Sequence, residues 1–411
     1  MPDRATPDFS RFGYPSFDTG ALKAKRSSFG IVRNKPHQNP AGAVFAQNRY
    51  LLAIVEFDDQ GVCYNRRQMN AFSGVLDRLK GCHPLVLVFV HGWGHDARSD
   101  DANLAAFRAI LDQASMDAWD RPVLGVFVGW RGMSWHGFGM DRPSFFGRKQ
   151  AALRVALGSV RELLGRLRRF RDEEQAAKSN AFLIIIGHSF GGLIAFSSVA
   201  QSLIDAAATP PDTLVPSFGD LLILLNPAFE AVRYLPVFEQ VNGRNNFAPN
   251  QPPIFISITA QNDSATGFWF PLGMKWAALG ETVRGRRERT ALISTMGHID
   301  WMRTHDLSKP GETKPASKQE MRRPGTAPMW VSPVVTPTLS VPQSETITYA
   351  SGACLRTVPG FCSTNPFWVV RASAEVLDGH GIHGFVLPDF IRDIVIGCMN
   401  GDVGQQTADS V

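Results

Sequence analysis

Ser189 is the residue in this chain best placed, by type and spacing, for covalent chemistry. It stands in Gly187-His188-Ser189-Phe190-Gly191-Gly192, after an apolar run at 182–186 and before a stretch of small and apolar residues at 193–203. A serine held at a tight strand-to-helix turn needs glycine on both sides, because its own backbone is strained and a Cβ two residues away collides with the neighbouring turn. A hydroxyl is a poor nucleophile near neutral pH, so it requires a base, and the base requires a carboxylate that orients it. Downstream of Ser189, the candidate bases are His298, His305, His380 and His383, and the candidate carboxylates are Asp263 and Glu230. His380 lies between Gly379 and Gly381, which free an imidazole to project into a site. The competing reading of the serine motif is a glycine-rich turn with an incidental serine. So short a pattern recurs by chance, and the strand before it and helix after it are what lend it weight.

A second cluster, His91-Gly92-Trp93-Gly94-His95, spaces two histidines four apart, as a metal pair on a helix would be. Gly-Trp-Gly is a poor helix, however, and no Glu accompanies the pair, so neither a metal nor a cofactor is expected.

The elements that must position these groups read as alternating strands and helices. Residues 50–57, 84–90 and 123–128 are short apolar strands, and 68–79 and 103–113 between them carry apolar residues at helical spacing. Residues 144–171 read as one helix, with Leu153, Leu157, Val160, Leu164 and Leu167 on a face, that delivers the chain to the serine strand. Strands follow at 221–225, 253–259 and 367–372, and a helix at 389–396; residues 229–251 hold few periodic signals and read as a cover over the site. Fully apolar strands belong inside a parallel sheet covered on both faces, and their alternation with helices argues for right-handed crossovers.

Through Gly187-His188-Ser189-Phe190-Gly191 in that strand–turn–helix context, and through His91-Gly92 at the end of the 84–90 strand, the chain resembles the α/β-hydrolase superfamily, and within it the serine esterases and lipases. The resemblance implies an α/β fold with a mostly parallel central sheet, helices on both faces and long insertions. It implies the order serine, acid, histidine, each on a loop at the carboxyl end of a strand. Ser189 is then the nucleophile, Asp263 the acid with Glu230 as runner-up, and His380 the base with His383 as its main rival. By the same resemblance the N–H groups of Trp93 and Phe190 are the oxyanion-hole donors. His91, Trp130 and His188 are candidate walls of a substrate pocket, and Phe268-Trp269-Phe270 adds aromatic surface that favours an apolar acyl or alcohol group. The expected activity is cleavage of a carboxylic ester, from a small molecule or a lipid, through an acyl-enzyme and without metal or cofactor. Two other readings stay open: action on an amide or thioester, and a non-catalytic hydrolase-like scaffold that binds a partner.

At 411 residues, 44% hydrophobic and 19% charged, the composition is that of an ordinary globular protein. Residues 1–48, rich in Pro, Gly, Ser and basic residues, read as an N-terminal extension; 49–400 as the core, with a lid or insertion at 303–365; and 401–411 as a polar tail. Much of the excess of the net charge of +5 falls at 148–171 and 284–289, stretches nearly free of aromatics, so no nucleic-acid partner is expected. The 148–171 stretch reads as a solvated helix face, with contact to an anionic membrane surface as its other use. Five cysteines at irregular spacing match neither a zinc site nor a disulfide framework, although Cys354 and Cys362 can pair across a loop. With no signal-peptide core and no apolar run of about 18 residues, a cytoplasmic protein without a transmembrane segment is expected.

Overall fold

The computed structural model describes residues 30–31, 44–46, 49–117, 121–132, 135–136, 141–278, 280–309, 346–382 and 387–400. Near the N-terminus are two short strands, β1 (Gly30–Ile31) and β2 (Val44–Ala46). The apolar runs foreseen from sequence then alternate with helices: β3 (Leu51–Phe57), α1 (Arg66–Leu79), β4 (Leu85–Val90), α2 (Ala102–Asp117) and β5 (Val123–Trp130). After β6 (Trp135–His136) come α3 (Asp141–Leu157), α4 (Val160–Ala176), β7 (Phe182–His188) and α5 (Phe190–Ala207). The second half holds β8 (Leu221–Leu225), α6 (Leu235–Val241), β9 (Phe255–Ala260), α7 (Phe270–Ala277) and α8 (Arg286–Ile293). It ends with β10 (His305–Ser308), β11 (Thr346–Thr348), β12 (Cys354–Thr357), β13 (Phe367–Ala372) and α9 (Leu387–Asn400).

Eleven strands form one sheet in the order β11-β12-β10-β13-β9-β8-β7-β4-β5-β3-β2. From β10 through β3 every neighbouring pair is parallel; β2, β12 and β11 close the two edges with antiparallel pairs. The pleat sorts the side chains. On β4, Val86, Val88 and Val90 enter one core with α1, α4, α5 and α6, while Leu85, Leu87 and Phe89 enter the other with α2 and α9. Apolar residues therefore run without alternation along each central strand, because both of its faces are covered. Helix α5, 18 residues long, is largely apolar because β7, β4, β8, α3 and α6 cover most of it.

Several sequence expectations need correction. The single helix expected at 144–171 is two, α3 and α4, broken where the Ser159 N–H turns aside to donate to Gly61 O at 2.6 Å. Its cations are divided: Arg154, Arg161, Arg168 and Arg169 are exposed, whereas three others are committed to carboxylates of the fold. Arg148 is buried on Asp59, Lys149 is buried on Glu230, and Arg171 pairs with Asp220. Residues 229–251 do not cover the site, since Tyr234, Leu235, Val237 and Phe238 are buried in the core beside α5. The insertion expected at 303–365 contributes β10, β11 and β12 to the sheet, while 310–345 lies outside the described residues. Cys354 and Cys362 are both free thiols.

Candidate active site

The parallel sheet brings the carboxyl ends of β7, β8, β9 and β13 to one edge, and the candidate groups stand on the segments that follow them. Ser189 occupies the one-residue turn between β7 and α5 with φ 54° and ψ −119°, a left-handed conformation that costs a non-glycine residue about 1–3 kcal/mol. The turn fits because Gly191 lies against the end of β4: a Cβ there would fall 2.0 Å from Val90 O. Gly92 lets the loop after β4 pass equally close, since a Cβ on it would stand 2.9 Å from Ser189 Cβ. Trp93 follows that close approach in the chain, and the Phe190 N–H lies in the first turn of α5, where a helix leaves its amides without intrahelical partners.

Three side chains foreseen as the reacting set come together. His380 Nε2 is 2.8 Å from Ser189 Oγ, and His380 Nδ1 is 2.8 Å from Asp263 Oδ2. Asp263 is buried and accepts further bonds from the backbone N–H groups of Ala265 (2.9 Å) and Thr266 (3.3 Å), and from the Thr266 hydroxyl. Burial alone would raise its carboxyl, but the His380 bond and charge and the Thr266 bonds outweigh that and hold it below the ordinary value, so it stays ionised. His298 supports the same group from behind, with Nε2 3.0 Å from Thr266 Oγ1.

The histidine itself sits on no regular element, and side chains hold its loop. Asn226 Nδ2 donates to Gly379 O (3.1 Å) and Gly381 O (3.2 Å), and His188 Nε2 lies 2.8 Å from His380 O. Asn262 Oδ1 accepts from the Gly379 N–H at 3.0 Å. Three successive carbonyls are thus tied to residues at the ends of β7 and β8. Asn226, fully buried at φ 45°, also accepts from the Ala260 N–H and so links the loops after β8, β9 and β13. A carbonyl only accepts, so His188 carries its proton on Nε2; burial pushes this imidazole down to about 3, which keeps it neutral.

That placement corrects the role expected of His188, which is a buried loop support rather than a pocket wall. His91 is likewise fully buried, its Nε2 accepting from the Trp130 N–H at 3.1 Å while the Trp130 indole donates to His91 O at 2.9 Å. Burial lowers His91 to about 4, and with Trp130 it braces the ends of β4 and β5 instead of lining a pocket. Glu230 is engaged elsewhere, with buried Lys149 and with Arg233 at 3.1 Å. His305 packs against Trp368 within the sheet, with the rings tilted by 44°, and His383 lies outside the described residues. Beside the serine, Trp93, Phe190 and Phe270 surround Phe145, with ring centroids 6.1, 5.0 and 6.0 Å from it. Phe145, Asn226, Asn262 and Thr266 were not singled out from sequence. The local signal available for Asn226 is an Asn-Pro pair ending an apolar strand.

A serine, a neutral-capable imidazole and a buried carboxylate in this chain of bonds can pass a proton from hydroxyl to ring while the carboxylate steadies the ring's charge. The model of a family described as the Alpha/beta hydrolase family matches residues 87–338, more than half of the chain. Among curated proteins, none matches the chain. Among solved structures the chain is similar to one titled "Trichoderma reesei cutinase in complex with a C11Y4 phosphonate inhibitor", with 11% identity, 54% of this chain and 78% of that chain covered, and a TM-score of 0.21. So distant a likeness carries no conclusion about substrate.

Proposed function

Because the chain belongs to the α/β-hydrolase family, we propose that it is a serine hydrolase acting on a carboxylic ester with an apolar acyl or alcohol group. Ser189 Oγ attacks the ester carbonyl as His380 Nε2 takes its proton, and Asp263 holds the imidazole in the tautomer with Nδ1–H. The N–H groups of Trp93 and Phe190 bind the oxygen that becomes negative in the tetrahedral intermediate. His380 returns the proton to the leaving alcohol, and water, deprotonated by the same imidazole, then releases the acyl group from Ser189. The observation that supports this reading best is the unbroken bond chain Ser189–His380–Asp263, at 2.8 Å in both links. The aromatic cluster around Phe145 supports the apolar substrate.

Incubation with a fluorophosphonate probe, followed by peptide mass spectrometry, tests the reading. A single adduct on the peptide containing Ser189 is expected. Folded protein that takes no adduct, or takes it at another residue, rejects the proposal. Turnover of p-nitrophenyl esters of graded chain length then measures the acyl preference.

The loop supports yield a separate prediction. Asn226→Asp keeps the shape of the side chain but removes the N–H groups that hold Gly379 O and Gly381 O. It is expected to lower kcat about 10–100-fold, the equivalent of about 1–3 kcal/mol for lost buried hydrogen bonds. KM should change little, because the loop positions His380 and not the substrate. A rise in KM at constant kcat would show that Asn226 acts on binding instead.

A further inference from the structure

Among the described residues, four of the exposed large apolar side chains fall in a single stretch of nine, Phe268, Trp269, Leu272 and Trp276, whereas Val62, Tyr64, Met116, Leu157 and Leu214 are scattered over the rest of the chain. The stretch comprises a wide helical turn, Ala265–Trp269, continued by α7. Phe270, Met274 and Ala278, spaced by four, are buried, and so this element spends one apolar face on the core. Phe268, Leu272 and Trp276, also spaced by four, make a second apolar face on the opposite side. Trp276 is 74% exposed and Phe268 is 59% exposed. A surface helix ordinarily turns polar residues outward; one that is apolar all round has a second covering to find.

The charge around this face says what covers it. Lys275 is exposed between Leu272 and Trp276 on the same side of α7. Helix α8, packed against α7, adds exposed Arg286 and Arg289. From residue 264 to 290 the chain has five basic side chains and two acidic ones, Glu281 and Glu288, and Glu288 is engaged by Arg284. Tryptophan and phenylalanine beside cations are the composition of a helix lying in a headgroup boundary, where rings enter the apolar layer and cations meet phosphates.

We propose that the Phe268–Leu272–Trp276 face docks the protein on an anionic lipid surface. The element starts at the reacting set, since the N–H groups of Ala265 and Thr266 bind the Asp263 carboxylate. Docking therefore holds the Ser189 site at the lipid–water boundary, and the substrate class becomes an ester residing in that boundary. The substrate class rests on the proposed hydrolase activity; the docking surface does not. The basic stretch at 148–171 is a poorer alternative surface: Arg148, Lys149 and Arg171 are committed to carboxylates of the fold, and its exposed cations, Arg154, Arg161, Arg168 and Arg169, share the stretch with one exposed large apolar side chain among the described residues, Leu157.

Sedimentation of the full chain with vesicles of phosphatidylcholine and phosphatidylserine tests the surface, and hydrolysis of a water-soluble p-nitrophenyl ester is measured in parallel. Binding at low salt that weakens as salt rises is expected, and Leu272→Ser/Trp276→Ser should reduce it at least about tenfold, from lost apolar burial. The double variant should hydrolyse the soluble ester like the wild type and lose rate on vesicle-borne ester. Absence of wild-type binding at low salt overturns the proposal, as does binding that the double variant retains. A wild-type dimer in light scattering that the variant converts to monomer, without vesicle binding, assigns the face to a second copy and also overturns it. Vesicle binding together with no hydrolysis of any ester leaves the surface standing and removes the hydrolase reading.

Discussion

Ser189→Ala is expected to lower kcat/KM for a p-nitrophenyl ester by about 10⁵–10⁶-fold, and His380→Ala by a similar factor. The double variant should be no more than a few-fold worse than either single one, because nucleophile and base act as one unit and removing either already forfeits the covalent path. On the proposed mechanism, what activity is left in all three comes from the N–H groups of Trp93 and Phe190 and from substrate binding, which none of the substitutions touches. Ser189→Ala keeps the Cβ and the strained φ of 54°, so its stability should match the wild type within about 0.5 kcal/mol. Steady-state kinetics on the four proteins, with denaturant melts as the folding control, decide the matter. Losses that multiply in the double variant would mean that Ser189 and His380 serve separate steps, which is incompatible with the acyl-enzyme route.

The second large effect is expected at Asp263. Asp263→Asn should lower kcat by about 10³–10⁴-fold. The wild-type carboxylate receives donors only: His380 Nδ1–H, two backbone N–H groups and the Thr266 hydroxyl. An amide must turn its NH2 toward one of them. If it faces His380, the ring moves its proton to Nε2 and can no longer accept one from Ser189. The pH dependence follows from the depressed Asp263 carboxyl. A carboxyl whose folded-state value lies below its unfolded value of 3.8 contributes stability that is fully present above 3.8 and is lost as pH falls through the lower, folded value. Denaturant melts on an acid series should therefore show the wild type losing more stability below pH 3.8 than Asp263→Asn does. Equal acid sensitivity of the two proteins would show that this carboxylate is not held in its charged form by its neighbours. A kcat for Asp263→Asn within tenfold of the wild type would pass the orienting role to another group.

How much of the site could be read in advance depended on how local its causes are. The serine turn was legible because one short segment contains everything that makes it: an apolar strand, glycines where the backbone is strained, and a helix. Asp263 and His380 could be paired with it only through the resemblance, since 117 residues separate them from each other and nothing in either neighbourhood demands the other. His91, Trp130 and His188 were misread for the opposite reason. A histidine or tryptophan beside a reactive serine looks like pocket wall in one dimension, and only the packing of β4, β5 and β7 shows that their polar atoms are already used inside the fold. Arg148 and Arg171 likewise looked solvated because their partners, Asp59 and Asp220, come from distant segments.

Some properties of this protein are written in the chain itself, wherever the physics acts within about one turn or one strand. These are the doubly covered parallel strands, whose residues are apolar without alternation, the alternation of strand and helix, and the strained serine turn. Others were decided by the tertiary structure alone. The break between α3 and α4, the side chains of His188, Asn226 and Asn262 that grip the histidine loop, and the face of α7 left open after the other was buried all depend on which distant segments the sheet brings side by side. A hydrogen bond to a carbonyl or the loss of an exposed surface is a property of two partners, and one stretch of sequence names only the first.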